Sequence, residues 1–298
     1  MNRLFKDVDL QKQFDTKGFV VIPFLTVQEI KTVGAKYFSL EAQHKIVAPV
    51  HSTSDTNNKD LIAEVDNFLK AITKEALFKY LEPSKVFLSN YLVKEVGCDS
   101  VINPHSDWSF VDENIFSSAS VWCPLTDVDE NNGCLYVLEG SHKFLSTFRA
   151  SPDTPFVFDS VKHLIPSRMK KITMKAGEAV VYNHALIHSS PANLSNQKRI
   201  AFVLGIIPEK ADLYFYYYEN SLGVRKINQY RVDTEWYYSY EKHSVPTNAK
   251  LERQIQFDFK NVTEEQFKCY LGEKSKPKLQ FIPSQLLDLK HKLTKLLT

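Results

Sequence analysis

Apolar residues follow helical spacing in the first third of the chain, with one short strand between the helices. Thr26 precedes Glu29 by three residues, which is the capping box of a helix start. The stretch 51–60 is rich in Ser, Thr, Asn and Asp, and it predicts an exposed, mobile loop. The predicted elements are helices over residues 8–16, from Thr26 onward and over 61–82, and a strand over 19–23.

From residue 86 onward the pattern changes to short runs of β-forming residues. Gly, Pro, Asn and Asp separate these runs, as is typical of an all-β sandwich or barrel. Helices come first and strands follow, so we predict an α+β fold, mainly β, with helices packed against a β core. The predicted strands are residues 86–94, 118–125, 134–138, 169–174, 178–182 and 199–207.

The chain after Pro208 has a different character, with dense aromatic clusters at 214–218 and 236–238. One interpretation is a strand, with packing that closes one side of a barrel; the other is a substrate lid or a dimer surface. Further along, residues 272–279 predict a linker and residues 283–298 an amphipathic helix.

Two other segments, 44–60 and 108–117, are plausible lids because they are polar or close to candidate catalytic residues. Within the second segment, three aromatic residues would either line an apolar substrate pocket or simply pack. These residues are Trp108, Phe110 and Phe116.

Composition narrows the class of protein. A chain of 298 residues permits one large domain or two small ones, and we expect a single domain over 1–298. The 37 basic and 35 acidic residues give a net charge of +2, which argues against nucleic acid or an anionic membrane as the main partner. No apolar run approaches the roughly 20 residues of a membrane span. We therefore expect a small-molecule substrate and a monomer or homodimer.

The four cysteines form no Cys-x-x-Cys pair, which argues against a zinc ribbon or a dithiol redox site. The amino terminus becomes polar at once and lacks the apolar stretch of a signal peptide. These two features predict a cytoplasmic protein.

The candidate chemistry centres on His105 and Asp107. In an extended segment, residues two apart can point the same way, so one imidazole and one carboxylate could share a metal ion. His188 would complete a 2-His-1-carboxylate set, the ligand set of non-haem Fe(II) oxygenases. Arg199 follows eleven residues later and could hold a dicarboxylate co-substrate.

From the residues alone, alternatives remain at this site. A His-x-Asp pair by itself is a weak signal, since the His could be a surface residue and the Asp a cap. His184 competes with His188 for the role of distal ligand, or could act beside the ligands or merely end a strand. His142 is also a candidate, although a turn residue bonded to the backbone is the plainer interpretation.

Longer motifs surround these residues, and the sequence resembles the phytanoyl-CoA dioxygenase family of Fe(II)- and 2-oxoglutarate-dependent oxygenases. The similar region covers about residues 10–208, and residues 209–298 extend beyond it. The motifs are residues 14–23, 104–107, 127–142 and 177–193, together with Arg199.

The resemblance implies a double-stranded β-helix (jelly-roll) core. It implies that His105, Asp107 and His188 bind Fe(II), and that Arg199 pairs with the far carboxylate of 2-oxoglutarate. Ser190 and Trp122 match family positions near the co-substrate. Lys94 lies in a family-like strand before the His-x-Asp pair and is a further candidate for co-substrate binding. For Trp122 core packing is an equal alternative, and for Lys94 the alternative is a solvated residue at a strand end.

The resemblance also implies the reaction, in which O₂ and 2-oxoglutarate are consumed and succinate and CO₂ are released. Halogenating relatives have Gly or Ala where this chain has Asp107, so hydroxylation of an unactivated C–H bond is favoured. Desaturation or cyclisation remains open, because either outcome depends on how the substrate lies. The rival classes are a non-catalytic jelly-roll that binds a ligand, and a zinc hydrolase with the same ligands.

Overall fold

The computed structural model describes residues 3–42, 48–144, 148–221, 224–241 and 243–273. The predicted linker 272–279 lies mostly outside these residues, and the predicted helix 283–298 lies wholly outside them. The helices are α1 (Val8–Lys17), α2 (Val27–Glu41), α3 (Lys59–Tyr80), α4 (Thr234–Tyr238) and α5 (Glu264–Tyr270). Short 3₁₀ turns occupy Ser141–Lys143, Asp159–Leu164 and Pro166–Arg168.

Strands supply the framework between and after the helices. They are β1 (Phe19–Pro23), β2 (Val50–Ser52), β3 (Ser84–Lys94), β4 (Ile102–His105), β5 (Ala119–Pro124), β6 (Leu135–Val137), β7 (Lys170–Ile172), β8 (Glu178–Asn183), β9 (His188–Ser190), β10 (Arg199–Pro208), β11 (Tyr214–Ser221), β12 (Val224–Arg231) and β13 (Lys250–Gln256).

Two antiparallel sheets form the body of the molecule. The larger has the order β1-β8-β5-β10-β3-β2, and the smaller has the order β4-β9-β6-β7. Side chains from both sheets meet in one apolar cluster, for example Trp122 and Val180 from the larger sheet with Val137 from the smaller. This is the predicted α+β, mainly β, fold with a jelly-roll core, and the prediction is confirmed.

The helices cover the outer face of the larger sheet. Phe14, Val33 and Leu69 from α1, α2 and α3 pack in one buried cluster with Val121 and Phe202 from β5 and β10. The central strands are therefore buried on both faces, which explains their nearly continuous apolar sequence. Consecutive apolar residues there reflect two cores, one on each side of the sheet.

The helix starts follow local chemistry. Thr26 and Glu29 form the predicted capping box, with the Thr26 side chain accepting from the backbone of Glu29. Asp7 and Asn58 cap α1 and α3 by accepting backbone N–H groups in the same manner.

The prediction of an exposed loop over residues 51–60 is wrong for its first three residues. His51, Ser52 and Thr53 are buried, because β2 pairs with β3 and forms the edge of the larger sheet. The side chain of Thr53 accepts a hydrogen bond from the backbone N–H of Tyr91 at 3.0 Å. Polar composition alone misled the prediction, since these polar groups find their partners inside the fold.

The region after β10 forms a third, three-stranded sheet with the order β11-β12-β13. Residues 214–218 lie in β11 as the strand interpretation predicted, whereas residues 236–238 belong to α4. Phe215 and Tyr237 are buried with Phe87, Val111 and Ile207, so this sheet packs on the jelly-roll core. Trp108, Phe110 and Phe116 are partly buried against the same cluster, which favours the packing interpretation for them.

None of the described helices is both long enough and apolar enough to cross a membrane.

Candidate active site

The sheet topology brings the two distant halves of the predicted ligand set together. His105 ends β4 and His188 begins β9, and the two residues are direct partners across these antiparallel strands. Asp107 lies two residues beyond β4, with its Oδ1 3.9 Å from Nε2 of His105 and 3.7 Å from Nε2 of His188. The three candidate ligand atoms lie within 4.8 Å of one another. One small cation could therefore contact all three.

Backbone hydrogen bonds orient both imidazoles. Nδ1 of His105 lies 2.8 Å from the carbonyl of Asn103, and Nδ1 of His188 lies 3.0 Å from the carbonyl of Leu186. A carbonyl oxygen only accepts, so each Nδ1 carries the hydrogen and each Nε2 keeps its lone pair. This is the tautomer that a metal ligand requires, set by a partner on the other ring nitrogen.

The electrostatics favour the protonation states that bind metal. Burial lowers the pKa of His188 to about 4, helped by the neighbouring His105, so its imidazole is neutral near pH 7. Burial alone would raise the pKa of Asp107, but His188, His184 and His105 together outweigh that effect and lower it. His188 and Asp107 thus stand in the neutral and the ionised form that bind a metal, and neither has to lose a proton first.

His184 does not join this group. Its Nδ1 lies 2.7 Å from the hydroxyl of Ser118 and its Nε2 lies 3.0 Å from the hydroxyl of Ser120. Ser120 in turn donates to Oδ2 of Asp107 at 3.4 Å. The structure therefore places His188 beside Asp107 and His105, and His184 behind them in a chain of polar contacts.

Tyr182 belongs to the same polar shell. Burial and a hydrogen bond to Asp107 raise the pKa of its phenol well above the usual value. His142 lies apart from the group, in the turn Ser141–Lys143, where its Nε2 bonds to the backbone carbonyl of Asp15 at 3.2 Å. The turn interpretation of His142 therefore agrees with the structure.

Arg199 is the most unusual charged residue of the described chain. It begins β10, and only 1% of its surface is exposed. Among the residues that the structure describes, none of its three guanidinium nitrogens has a hydrogen-bond partner. Its guanidinium lies 5.1 Å from the ring centre of Trp122, a cation–π contact. A buried cation without an anion is costly, so this position fits an anionic ligand that is bound from outside.

Trp122 is also buried, and within the described ranges its indole N–H has no partner. Ser190 is buried on β9, and its hydroxyl donates to the carbonyl of Gly133 at 2.8 Å. Both residues are thus inside the core of the fold. Trp122 contacts Arg199 directly, whereas the Ser190 hydroxyl contacts the backbone of Gly133.

Lys94 is fully buried, so the interpretation as a solvated lysine at a strand end is wrong. Its ammonium group donates to the carbonyls of Ser100 and Pro191, each at 2.6 Å, and lies 3.3 Å from the carbonyl of Ser190. Burial, with the nearby Arg199, lowers its pKa to about 7. All three ammonium hydrogens face backbone carbonyls, so Lys94 joins loops and has no donor left for a co-substrate.

Sequence reasoning missed Arg149 and Ser120, which contact Asp107. Arg149 is nearly buried, and its Nε donates to the backbone carbonyl of Asp107 at 2.6 Å. Neither residue lies in a motif, and each reaches the site only through tertiary contacts. No local signal in the sequence marks them.

The nitrogen and oxygen donors of these three residues suit a metal ion of intermediate softness, and they would leave some of its coordination positions open for other ligands. Two imidazoles and one carboxylate on one side are the set expected of a non-haem Fe(II) oxygenase. The unpaired Arg199 adds a fixed anion-binding group in the same core. The residues present therefore fit both iron and a carboxylate co-substrate.

Comparison with known proteins agrees with this chemistry. Residues 14–201 match the model of the family described as phytanoyl-CoA dioxygenase. The chain is 34% identical over 155 residues to a phytanoyl-CoA dioxygenase of Arabidopsis thaliana, covering 48% of this chain and 54% of that protein. It is 27% identical over 207 residues to the phytanoyl-CoA dioxygenase domain-containing protein 1 of Danio rerio, covering 65% and 62%. The chain thus spans about half to three fifths of the length of these relatives.

Solved structures share the fold at low sequence identity. The non-haem α-ketoglutarate-dependent carbocyclase SnoK from nogalamycin biosynthesis superposes with a TM-score of 0.53 at 19% identity, covering 70% of this chain and 86% of that one. HygX from Streptomyces hygroscopicus, solved with nickel and 2-oxoglutarate, gives a TM-score of 0.50 at 17% identity, covering 68% and 88%.

The family match extends over more than half of the chain, and it includes His105, Asp107 and His188. The jelly-roll fold and the three facing candidate ligand atoms agree with this family match. The chain belongs to the phytanoyl-CoA dioxygenase family of iron- and 2-oxoglutarate-dependent oxygenases.

Proposed function

We propose that this protein hydroxylates an unactivated C–H bond of a small metabolite, an amino acid or a natural-product intermediate. In this proposal His105, Asp107 and His188 bind Fe(II), and Arg199 binds the far carboxylate of 2-oxoglutarate. The observation that carries the proposal is the buried, unpaired Arg199 in a fold that also gathers three candidate ligand atoms. Arg199 contacts Trp122, which shares an apolar cluster with Tyr182, and the Tyr182 ring contacts His188. Bound iron and 2-oxoglutarate would supply the oxidising chemistry.

The roles of the side chains follow from their contacts. Asn103 and Leu186 hold the two imidazoles through their carbonyls, so that each Nε2 faces the same point. Arg199 offers a planar fork that matches a carboxylate, and Trp122 supports the guanidinium from one face. Ser190 lies on β9 two residues after His188, and in this proposal it would assist the same carboxylate by turning its hydroxyl away from Gly133.

Hydroxylation is favoured over halogenation because the Asp107 carboxylate lies close enough to Nε2 of His105 and of His188 for all three to bind one metal ion. A ligand at that position leaves no place for a halide. The size and balanced charge of the chain support a small substrate without strong charge preference.

The first experiment titrates Fe(II) and 2-oxoglutarate into the protein without oxygen and follows visible absorbance. We expect a charge-transfer band that requires both additions, and succinate formation once oxygen is admitted. Asp107→Ala and His188→Ala should lose the band and the succinate. Asp127→Ala is the matched control, because Asp127 is a surface carboxylate bonded to Lys175.

Unchanged turnover in Asp107→Ala would show that the ligand assignment is wrong. A band that forms with Fe(II) alone, without 2-oxoglutarate, would contradict the proposal that 2-oxoglutarate is the co-substrate. The reaction type is read by screening metabolite pools for stimulated succinate formation, followed by mass spectrometry. Gain of one oxygen atom is the expected result, and loss of two hydrogens would indicate desaturation or ring closure instead.

A further inference from the structure

Residues 107–113, here called the ligand segment, begin at Asp107 and have no strand pairing of their own. β4 ends at His105, and β5 does not begin until Ala119. The carboxylate of Asp107 therefore depends on contacts from outside the segment for its position. A metal ligand that sits on an irregular segment needs such support to keep its geometry.

Arg149 provides such a contact to the backbone of Asp107. Its Nε donates to the backbone carbonyl of Asp107 at 2.6 Å, at the start of the ligand segment. Its two terminal nitrogens engage both carboxylate oxygens of Glu113, at the end of the segment. The Arg149 side chain is only 10% exposed and that of Glu113 is 23% exposed, so this pair is shielded from water. One guanidinium thus fixes both ends of the ligand segment.

The backbone around Arg149 joins the same segment. The N–H of Ser109 donates to the carbonyl of Arg149 at 2.9 Å, and the N–H of Arg149 donates to the hydroxyl of Ser109 at 3.1 Å. Two residues later, Ser151 accepts from the N–H of Tyr218 at 3.0 Å and donates to the carbonyl of Tyr216 at 2.9 Å. Arg149 therefore lies between the ligand segment and β11 of the third sheet.

The third sheet also holds the ligand segment directly. The N–H of Tyr214 donates to the carbonyl of Phe110 at 2.8 Å, and the hydroxyl of Tyr216 donates to the carbonyl of Val111 at 2.8 Å. On β13, Arg253 pairs with Asp112 at 3.0 Å. Every one of these partners lies beyond residue 208, in the extension that follows the jelly-roll core.

We propose that Arg149 is a positioning residue for the metal site, and that it transmits the support of the β11-β12-β13 sheet to Asp107. Arg149 holds the backbone of Asp107 and, through its pair with Glu113, the path of the ligand segment between these two residues. The carboxylate is thereby held in its orientation for the metal. This inference rests on the proposed role of Asp107 as an iron ligand, and it gives residues 209–256 a function at the site.

The test compares three variants of the full chain. Arg149→Lys keeps the charge but loses the fork that contacts Asp107 and Glu113 together. Glu113→Gln keeps Arg149 and removes only its carboxylate partner. Arg231→Lys is the matched control, because Arg231 lies on the same sheet and pairs with Asp212 and Glu252, away from the ligand segment.

Three quantities are measured for each variant. They are the Kd of Fe(II) with saturating 2-oxoglutarate in the absence of oxygen, the hydrogen–deuterium exchange of the peptide containing residues 107–113, and the Tm. We expect Arg149→Lys to raise the Kd by about 10- to 100-fold, the effect typical of losing a group that orients a metal ligand. Exchange in the ligand segment should accelerate. Glu113→Gln should change both quantities in the same direction, and Arg231→Lys should leave both at wild-type values.

A lowered Tm with unchanged Kd and unchanged exchange in both Arg149→Lys and Glu113→Gln would overturn the proposal, because Arg149 would then serve stability alone. If Arg149→Lys does not fold, Glu113→Gln decides on the same criteria, since Glu113 is partly exposed. Wild-type protein that binds no Fe(II) overturns the proposed function, and this proposal with it. Wild-type binding with unaffected variants overturns only the role of Arg149.

Discussion

At the scale of single residues, the candidate site contains polar and charged groups that are buried at a cost in folding free energy. Arg199 is buried and charged, and in the described part of the chain it lacks an anion. His188 is buried and held neutral, with its pKa lowered to about 4 by burial. Such groups cost stability in the ligand-free protein, and in the proposed function they gain a partner when iron and 2-oxoglutarate bind. This is the pattern expected where function competes with stability.

Replacing Arg199 should separate these two effects. We expect Arg199→Met to raise the free energy of unfolding of the ligand-free protein by about 1 kcal/mol or more, because an apolar chain of similar length replaces an unpaired buried charge. The same change should weaken 2-oxoglutarate binding by about 2–5 kcal/mol. Urea unfolding and titration of the charge-transfer band measure the two quantities.

Arg231→Met is the control for that experiment. Arg231 is a partly exposed arginine in a salt bridge, so its loss should lower stability by about 1 kcal/mol or less and leave 2-oxoglutarate binding unchanged. A destabilised Arg199→Met protein would contradict the view that Arg199 is strained without its ligand.

At the scale of elements, close packing around β10 sets the position of the aromatic cluster near the site. Gly205 lies in β10 next to a register irregularity, and an added Cβ there would collide with the ring of Phe87. Phe87 packs against Phe110 with ring centres 4.6 Å apart, and Phe110 packs against His184 at 4.8 Å. A change in β10 should therefore reach the ligand segment through Phe87.

We expect Gly205→Ala to lower the free energy of unfolding by about 1–3 kcal/mol, because the buried Phe87 ring has to move. Gly34→Ala is the matched control on α2, where no described atom lies within 4 Å of an added Cβ. That change should raise stability by about 0.5–1 kcal/mol, since alanine loses less conformational entropy in a helix. Denaturant unfolding of both variants checks the opposite signs, and equal effects would contradict the packing argument.

At the scale of the whole molecule, a helical layer, a jelly-roll and a third sheet meet around one site. The buried carboxylate of Asp66 on α3 accepts from the backbone N–H of Ser89 on β3 at 2.7 Å, and Tyr238 of α4 donates to the same carboxylate. This junction ties the carboxy-terminal elements to the helical layer. The third sheet then reaches the ligand segment from the other side.

Global stability should depend on pH through the buried histidines. Burial lowers the pKa of both His184 and His188 to about 4, so they are neutral in the folded protein. Unfolded histidine has a pKa of about 6.5, so between roughly pH 6.5 and 4 the unfolded chain binds more protons. The free energy of unfolding of the metal-free protein should therefore fall as pH falls through this window, by up to about 1.4 kcal/mol per pH unit for each histidine.

Urea unfolding at pH 7, 6 and 5 would measure this slope. His184→Asn removes one of the two histidines and should reduce the slope of the unfolding free energy against pH. An unchanged slope in this variant would show that His184 does not contribute to the pH dependence.

The sequence by itself determined the class of fold, the family and the composition of the site. Periodicity marked the long helices and the central strands, because those elements bury enough surface for a regular pattern. The short strands β4 and β9, which place His105 opposite His188, have too few residues for any pattern to show. The motif nevertheless pointed to these candidate ligands, which the structure brings together, because residue type and order carry a signal even where periodicity fails.

Only the tertiary structure decided which groups are partnered. Sequence could not show that Lys94 is saturated by carbonyls while Arg199 is not, since both are buried cations that face each other as direct partners on β3 and β10. It did not predict that residues 51–53 are buried, or that Arg149 holds Asp107 from 42 positions away in the chain. The physical reason is the same in each case. Hydrogen-bond satisfaction and desolvation depend on neighbours that are distant in sequence, and the fold alone brings them together.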